Sequence, residues 1–365
     1  MAYAAQNAFL RFAWSAFYLC GMIGALSACA SSEPMSSLPA INAEISTTSV
    51  SGLSSGAYMA GQFQFAHSKI IVGAGIVAGG PYGCAQSIYG AQLRGPGAPF
   101  INLSKAINGC MLNGMRLWDV PNPETLWDRA KQRARDGEID AIEHIRDDRV
   151  YIYSGQNDRT VMSEIVAATA QFYELSGISK NHLAYLSDQA AGHAFVTTNH
   201  GVACGETGQP YITDCDYDQA GAILAHIYGE LAPRSVEPLG HFQVFHQEEF
   251  TEGLPNHGMS DKGIFYLPQA CTQREKCRVH VVFHGCSQNH GKVGSEFAER
   301  SGFAEWADNN RIVVLFPQTK LSPLNPKGCW DWWGYTGQAY LTKSAPQIVA
   351  IWRMLKRLSQ SMSSG

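Results

Sequence analysis

Ser54 stands at the centre of Gly52-Leu53-Ser54-Ser55-Gly56. A serine hydroxyl becomes a useful nucleophile only when a base takes its proton and a third group orients that base. A G-x-S-x-G string is common in a chain with 36 glycines, so the flanking residues decide its meaning. Ile45–Val50 reads as a strand, and Gly56-Ala57-Tyr58-Met59 opens a helix of small residues. A strand, a tight turn and a helix together lift a serine Oγ above the end of a sheet. The backbone N–H of Ser55 then lies where the negative charge of a tetrahedral intermediate develops. An ordinary Gly-Ser surface turn would carry the same letters.

An acid and a base follow in order. Val150–Tyr153 leads into Ser154-Gly155-Gln156-Asn157-Asp158, and Leu183–Leu186 leads into Ala190-Ala191-Gly192-His193. Each places a titratable side chain in the loop after a strand. Among 12 histidines, only His193 follows a strand in this order after Ser54. Ser54, Asp158, His193 is the serine–acid–histidine order of α/β-hydrolases. Asp158 could equally form an Asx turn before Val161, and Asp148 and Asp188 are rival acids. Val279–Phe283 is a buried strand ending in His284-Gly285-Cys286. A His-Gly loop of this type gives α/β-hydrolases a second oxyanion N–H, here that of Cys286, but it normally precedes the nucleophile. Here it follows, which implies a circular permutation. His280 and His284 as metal ligands on one strand face are the competing reading, with no third ligand evident.

These residues need a sheet to hold them. Ile70–Val77, Val150–Tyr153, Leu183–Leu186, Val279–Phe283 and Ile312–Phe316 are apolar runs suited to strands covered on both faces. Phe242–Phe245 and Gly263–Leu267 are further strands. Helices are expected over Ser55–His67, Asn122–Arg135, Val161–Leu175, Asp218–Leu231 and Gln347–Leu358, the last with Ile348, Ile351, Trp352, Leu355 and Leu358 on one face. The alternation predicts one doubly wound, mostly parallel α/β domain over residues 44–365. Insertions near 80–148 and 201–253 read as lids or pocket walls, with inert decoration as the alternative.

Composition narrows the class. The chain has 365 residues, 45% of them hydrophobic and 16% charged, with a net charge of −4. That is enough apolar material for a core, and it gives no basic field for nucleic acid. Ten cysteines point to an oxidising setting. An apolar run from Phe12 to Leu26 ends in Leu26-Ser27-Ala28-Cys29, which resembles a lipobox: residues 1–28 read as a signal peptide, with Cys29 lipidated, and 29–43 as a tether. The chain would then be an exported lipoprotein anchored at the outer membrane, periplasmic or extracellular. An ordinary signal peptide cut near Ala28 or Ala30 is the alternative. Eight cysteines remain. Eight can pair in 105 ways. Close spacing suggests Cys204–Cys215 and Cys271–Cys277, leaving Cys84–Cys110 and Cys286–Cys329. The absence of a CxxC pair argues against zinc.

Gly52–Ala57, the Asp158 loop, Gly192–Phe195 and Gly263–Ser287 together resemble the poly(3-hydroxybutyrate) depolymerase esterases, in particular single-domain, circularly permuted members with the α/β-hydrolase fold. The resemblance covers about Ile45 to Trp352. It implies Ser54 as nucleophile, Asp158 as orienting acid, His193 as base and oxyanion donors at Ser55 and Cys286. It further implies hydrolysis of short-chain hydroxyalkanoate polyesters or oligoesters, with no cofactor or metal. Trp330, Trp332 and Trp333 resemble the family's aromatic wall, although any of them could instead be core. Many bacterial members carry a separate substrate-binding domain. None is expected after the C-terminal helix, so amorphous polymer or soluble oligomers are the expected material. An esterase for feruloyl or acetyl groups, or a non-catalytic polymer-binding lipoprotein, are the rival functions.

Overall fold

A computed structural model describes residues 35–86, 98–112, 121–272 and 275–361, all within a body that begins at Met35. The signal segment and Cys29 lie outside the described residues. Eleven strands are described: β1 Glu44–Leu53, β2 Ile71–Val77, β3 Arg149–Tyr153, β4 Leu183–Leu186, β5 Phe195–Thr197, β6 Val202–Ala203, β7 Ile212–Asp214, β8 His241–His246, β9 Lys262–Leu267, β10 Arg278–Phe283 and β11 Ile312–Phe316. The helices are α1 Ser55–Ala66, α2 Ala98–Ile107, α3 Pro123–Arg135, α4 Ser163–Glu174, α5 Gln219–Tyr228, α6 His290–Val293, α7 Glu296–Arg300, α8 Phe303–Asn310 and α9 Pro346–Ser359.

The main sheet runs β4-β3-β2-β1-β10-β11-β9-β8. Every neighbouring pair from β4 to β11 is parallel, and β9 is antiparallel to both β11 and β8. Seven strands therefore point one way and β9 points against them. The sheet is mostly parallel, as expected. Its N-terminal half, β1–β4, and its C-terminal half, β8–β11, meet at the β1·β10 pair, where Gly52 lies opposite Phe283. Two strands that are neighbours in the sheet are thus distant in the chain. This is the permutation that the late His-Gly loop implied.

Side chains alternate between the faces. Val150 and Ile152 of β3, and Val279, Val281 and Phe283 of β10, enter a core shared with α1, α3, α4 and α9. Tyr151, Tyr153 and Val282 enter a second core with α5, α7 and α8. This period of two is the reason unbroken apolar runs mark strands covered on both sides. α1 is buried along its whole length, which its glycines and alanines permit. Asn122 caps α3 by accepting from the Thr125 N–H at 2.7 Å, and Pro123 takes the first helical turn, where its missing N–H costs nothing.

Two boundaries differ from expectation. The tether does not extend to residue 43. The Ser36 N–H donates to the Val244 carbonyl at 3.1 Å, the Ala43 N–H donates to Leu358 at 2.9 Å, and Leu38 and Ile41 are buried. Two apolar side chains in a polar stretch are enough to dock it. The stretch 201–253 is not one insertion, because α5 covers β2 and β3 and β8 is an edge strand of the main sheet. Only its first part is an addition, a small parallel sheet of order β5-β7-β6. The fourth strand of that region's neighbourhood, β4, is short and half-exposed because it forms the sheet's other edge. All four disulfides pair as expected: Cys84–Cys110, Cys204–Cys215, Cys271–Cys277 and Cys286–Cys329.

Candidate active site

Ser54 follows directly on β1 and precedes α1. Its φ of 57° and ψ of −118° place a non-glycine residue in a sparsely populated conformation. The turn is held by the Ser54 N–H donating to the Val77 carbonyl at 2.9 Å. It also requires its glycines. A side chain at Gly56 would run into the carbonyl oxygens of Phe283 and His284, and one at Gly52 would meet Gly56 itself. The N-terminus of α1 therefore presses against the end of β10, bringing the two halves of the sheet together at the serine.

Asp158 makes the contacts of both readings at once. Its Oδ1 accepts from the N–H groups of Thr160 at 2.7 Å and Val161 at 2.9 Å, forming the turn before α4. Its Oδ2 lies 2.7 Å from His193 Nδ1. The acid and base loops are joined along their backbones: the Gln156 N–H donates to Gln189 at 2.8 Å and the Asn157 N–H donates to Ala191 at 3.0 Å. The small sheet braces the His193 loop from behind, with the Gly192 N–H donating to Cys204 at 2.8 Å and the His193 N–H to Thr207 Oγ1 at 2.8 Å. Asp148 is not the acid partner. It accepts from Gln64 Nε2 at 2.6 Å, and burial pushes its carboxyl well above the usual carboxylate range.

On the other side, the His-Gly loop has one N–H left over. Gly285 donates to Gln288 Oε1 at 2.7 Å and Ser287 donates to the Lys327 carbonyl at 2.7 Å. The N–H of Cys286 between them has no acceptor among the described residues. His284 fixes this loop. Its Nδ1 faces the Gly285 carbonyl at 2.8 Å and its Nε2 accepts from the Thr319 N–H at 3.2 Å, and burial lowers its pKa to about 4. His280 lies between two serines, Nδ1 at 2.6 Å from Ser49 Oγ and Nε2 at 2.8 Å from Ser51 Oγ, and burial lowers its pKa to about 3. Both histidines are hydrogen-bonded core residues of β10 and its end. Among the described residues no cluster of three or more ligating side chains surrounds them.

Ser54, His193 and Cys286 line one cavity of about 280 Å³. Trp332 and Trp333 form part of its wall, joined by Leu103, Ile107 and Met111 from α2 and the turn that follows it. The stretch near 80–148 thus supplies pocket wall, as expected. Trp330 does not belong to the wall. It is fully buried, edge-on to Phe283 at 5.0 Å and against the His284 ring at 5.4 Å, so it is a core residue beneath the oxyanion strand.

Two residues behind this wall support it and were not among the expected site residues. Asp331 is a buried carboxylate that accepts from the backbone N–H groups of Gly334 at 2.6 Å, Tyr335 at 3.0 Å and Thr336 at 2.8 Å, and from Thr336 Oγ1 at 2.6 Å. Those bonds fold the turn that presents Trp332 and Trp333. Burial raises the Asp331 pKa, against the lowering effect of its donors. Tyr58, one turn into α1 from Ser54, stacks on Trp332 at 4.7 Å and donates to the Cys110 carbonyl at 2.5 Å, tying the nucleophile helix to both sides of the wall. Its place one helical turn after the G-x-S-x-G string was the available clue.

The sheet order, the strained strand–turn–helix at Ser54 and the late His-Gly loop define a circularly permuted α/β-hydrolase. No family model matches the chain. The chain is 38% identical over 352 residues to a poly(3-hydroxybutyrate) depolymerase of Delftia acidovorans, covering 95% of this chain and 65% of that protein's length. It is 32% identical over 344 residues to a polyhydroxybutyrate depolymerase of Talaromyces funiculosus, covering 88% and 92%. The crystal structure of PHB depolymerase from Penicillium funiculosum matches with a TM-score of 0.77 at 30% identity, over 89% of this chain and 99% of that one. A serine-to-alanine PHB depolymerase solved with an R3HB trimer matches with a TM-score of 0.78, at the same identity and coverage. The chain belongs to the poly(3-hydroxybutyrate) depolymerase family.

Proposed function

We propose that this chain is a serine esterase that hydrolyses poly(3-hydroxybutyrate) or its oligomers through an acyl-enzyme. The observation that carries this reading is the 2.7 Å contact of Asp158 with His193, in a cavity that Ser54 also lines. The relatives' names, and the trimer bound to one of them, support a polyester of 3-hydroxybutyrate as the substrate. Nothing favours the feruloyl, acetyl or non-catalytic readings.

In this mechanism, Ser54 Oγ attacks the ester carbonyl as His193 Nε2 takes its proton. The N–H groups of Ser55 and Cys286 hold the oxyanion. His193 returns the proton to the leaving hydroxyl. Water then cleaves the acyl-enzyme by the same steps. Asp158 keeps the proton on Nδ1 and stabilises the imidazolium. The apolar walls of Trp332 and Trp333 suit the methyl-bearing backbone of the polyester.

The test is release of 3-hydroxybutyrate from amorphous polymer and from soluble oligomers by the wild-type chain and by Ser54→Ala. Release that depends on Ser54 is expected. Cleavage of p-nitrophenyl butyrate without such release would assign the triad to another ester.

The proposal extends to the N-terminus: residues 1–28 act as a signal peptide, and Cys29 carries lipid that anchors the exported chain at the outer membrane. The four disulfides support an exported protein. Membrane association that is lost in Cys29→Ser, with secretion retained, is the expected result.

A further inference from the structure

The cavity has a polar corner that ester cleavage does not use. Among the described residues, Lys327 is the only Lys or Arg that lines it, and no Asp or Glu does. No described carboxylate pairs with the Lys327 ammonium. Tyr211 and Ser287 line the same cavity, and neither hydroxyl is held by a described residue. The three are tied together by their backbones. Ser287 donates to the Lys327 carbonyl at 2.7 Å, and Gln288 Nε2, next along the chain, donates to the Tyr211 carbonyl at 3.0 Å. The Cys286–Cys329 disulfide joins the same two segments beside the oxyanion loop.

The backbone singles out this corner as well. Tyr211 has a φ of 58° and Ser287 a φ of 59°, and with Ser54 they are the three non-glycine residues of positive φ on the cavity wall. Left-handed backbone at such residues carries a cost, and it persists where it serves a site. Lys327, Tyr211 and Ser287 carry an ammonium and two hydroxyls, each able to donate, on the lining of one mostly apolar cavity, and a carboxylate is the ligand that would use all three.

We propose that Lys327, with Tyr211 and Ser287, binds the free carboxylate that ends a hydroxyacid oligoester. This rests on the esterase reading above. In any such oligomer the carboxylate lies on the alcohol side of every ester bond. The Lys327 corner is therefore the leaving-group side, and the fragment released first is the one bearing the free acid. A high polymer has few such ends, so the preferred substrate is a short soluble oligomer.

The test compares kcat/KM for the 3-hydroxybutyrate trimer as free acid and as methyl ester, in wild type, Lys327→Gln and Lys327→Arg. The wild type is expected to favour the free acid, and 0.5 M salt to weaken that preference. Lys327→Gln is expected to lower the acid-to-ester ratio about fivefold, and Lys327→Arg to keep it. No wild-type preference, or a ratio that Lys327→Gln leaves unmoved while esters are still cleaved, overturns the carboxylate site alone. A folded wild-type chain that cleaves neither trimer overturns the esterase reading and this inference with it.

Discussion

The two sides of the cavity are built by different means. The side holding Ser54, Asp158 and His193 is assembled at the ends of β1, β3 and β4, from loops that hydrogen-bond directly to one another. The side holding Cys286, Trp332 and Trp333 comes from segments that the sheet does not bring together by itself. It depends on the Cys286–Cys329 disulfide, on His284 against Thr319, and on Asp331 with its ring of N–H donors. Asn325 adds a further clasp, its Oδ1 accepting from the Cys329 N–H and its Nδ2 donating to the Cys329 carbonyl, each at 2.8 Å. The parallel sheet brings the serine, acid and histidine loops to one edge almost for free, whereas the aromatic wall needs its own fastening.

The sharpest test of this contrast is on the triad side, where function and folding should separate. Ser54→Ala is expected to lower kcat by about 10⁶, and Asp158→Asn by about 10⁴. The asparagine retains an oxygen for the Thr160 and Val161 N–H groups, so its circular dichroism and melting temperature should match wild type. A large loss of stability in Asp158→Asn would show that the triad side, too, depends on its acid for folding.

On the wall side the order of effects should reverse. Removing both sulfurs in Cys286→Ala/Cys329→Ala frees a loop with a sequence separation of 43 residues. Denaturant unfolding is expected to show a loss of about 4 kcal/mol, the chain-entropy value for such a loop. The N–H of residue 286 survives that change, so the rate on a soluble ester should fall by less than about tenfold, well short of the 10²–10³ typical of a lost oxyanion donor.

Acid should strike the same side. His280 and His284, held neutral with pKa values of about 3 and 4, bind fewer protons folded than unfolded below the ordinary histidine value of 6.5. Stability is then complete above about pH 6.5 and declines as the pH falls toward 4, the His280 contribution continuing to about 3. Urea midpoints measured between pH 7.5 and 4.5 should fall, and hydrogen exchange should show β10 and its loop opening early.

The smallest effect is expected from Asp331→Asn, which loses the charge that gathers the Trp332–Thr336 turn. KM for an oligomer should rise roughly fivefold with kcat little changed, if the wall binds substrate and does no chemistry as proposed. An equal loss in kcat would mean that the wall also aligns the ester.

Legibility in the sequence followed the same division. Asp158 and His193 each sit in the loop after a short apolar run, and Ser54 after a Ser/Thr-rich strand between a turn and a small-residue helix, so the strand pattern announces the loop and the residue type announces the chemistry. The permutation was visible because the His-Gly loop came after the nucleophile rather than before it. The wall was only partly legible. Gly328–Trp333 drew attention through its tryptophans, but whether an indole faces a cavity or a core depends on a turn set by Asp331, which no local spacing encodes. Trp330 went to the core for that reason. The docking of Leu38 and Ile41 was missed because two apolar residues in a polar stretch show no period.

The β1·β10 seam also sets a clock. Among the described strands β1 is the first to be made and β10 the last but one, so the middle of the sheet stays open until residue 283 has been made. Contacts between such distant segments form slowly. Until they form, β1 exposes an unpaired strand edge of the kind that invites pairing with other chains. The turn at Ser54 is shaped against the carbonyls of Phe283 and His284, so it cannot take its folded shape in a chain that stops short of them. Closure of that turn therefore waits for the C-terminal half of the sheet.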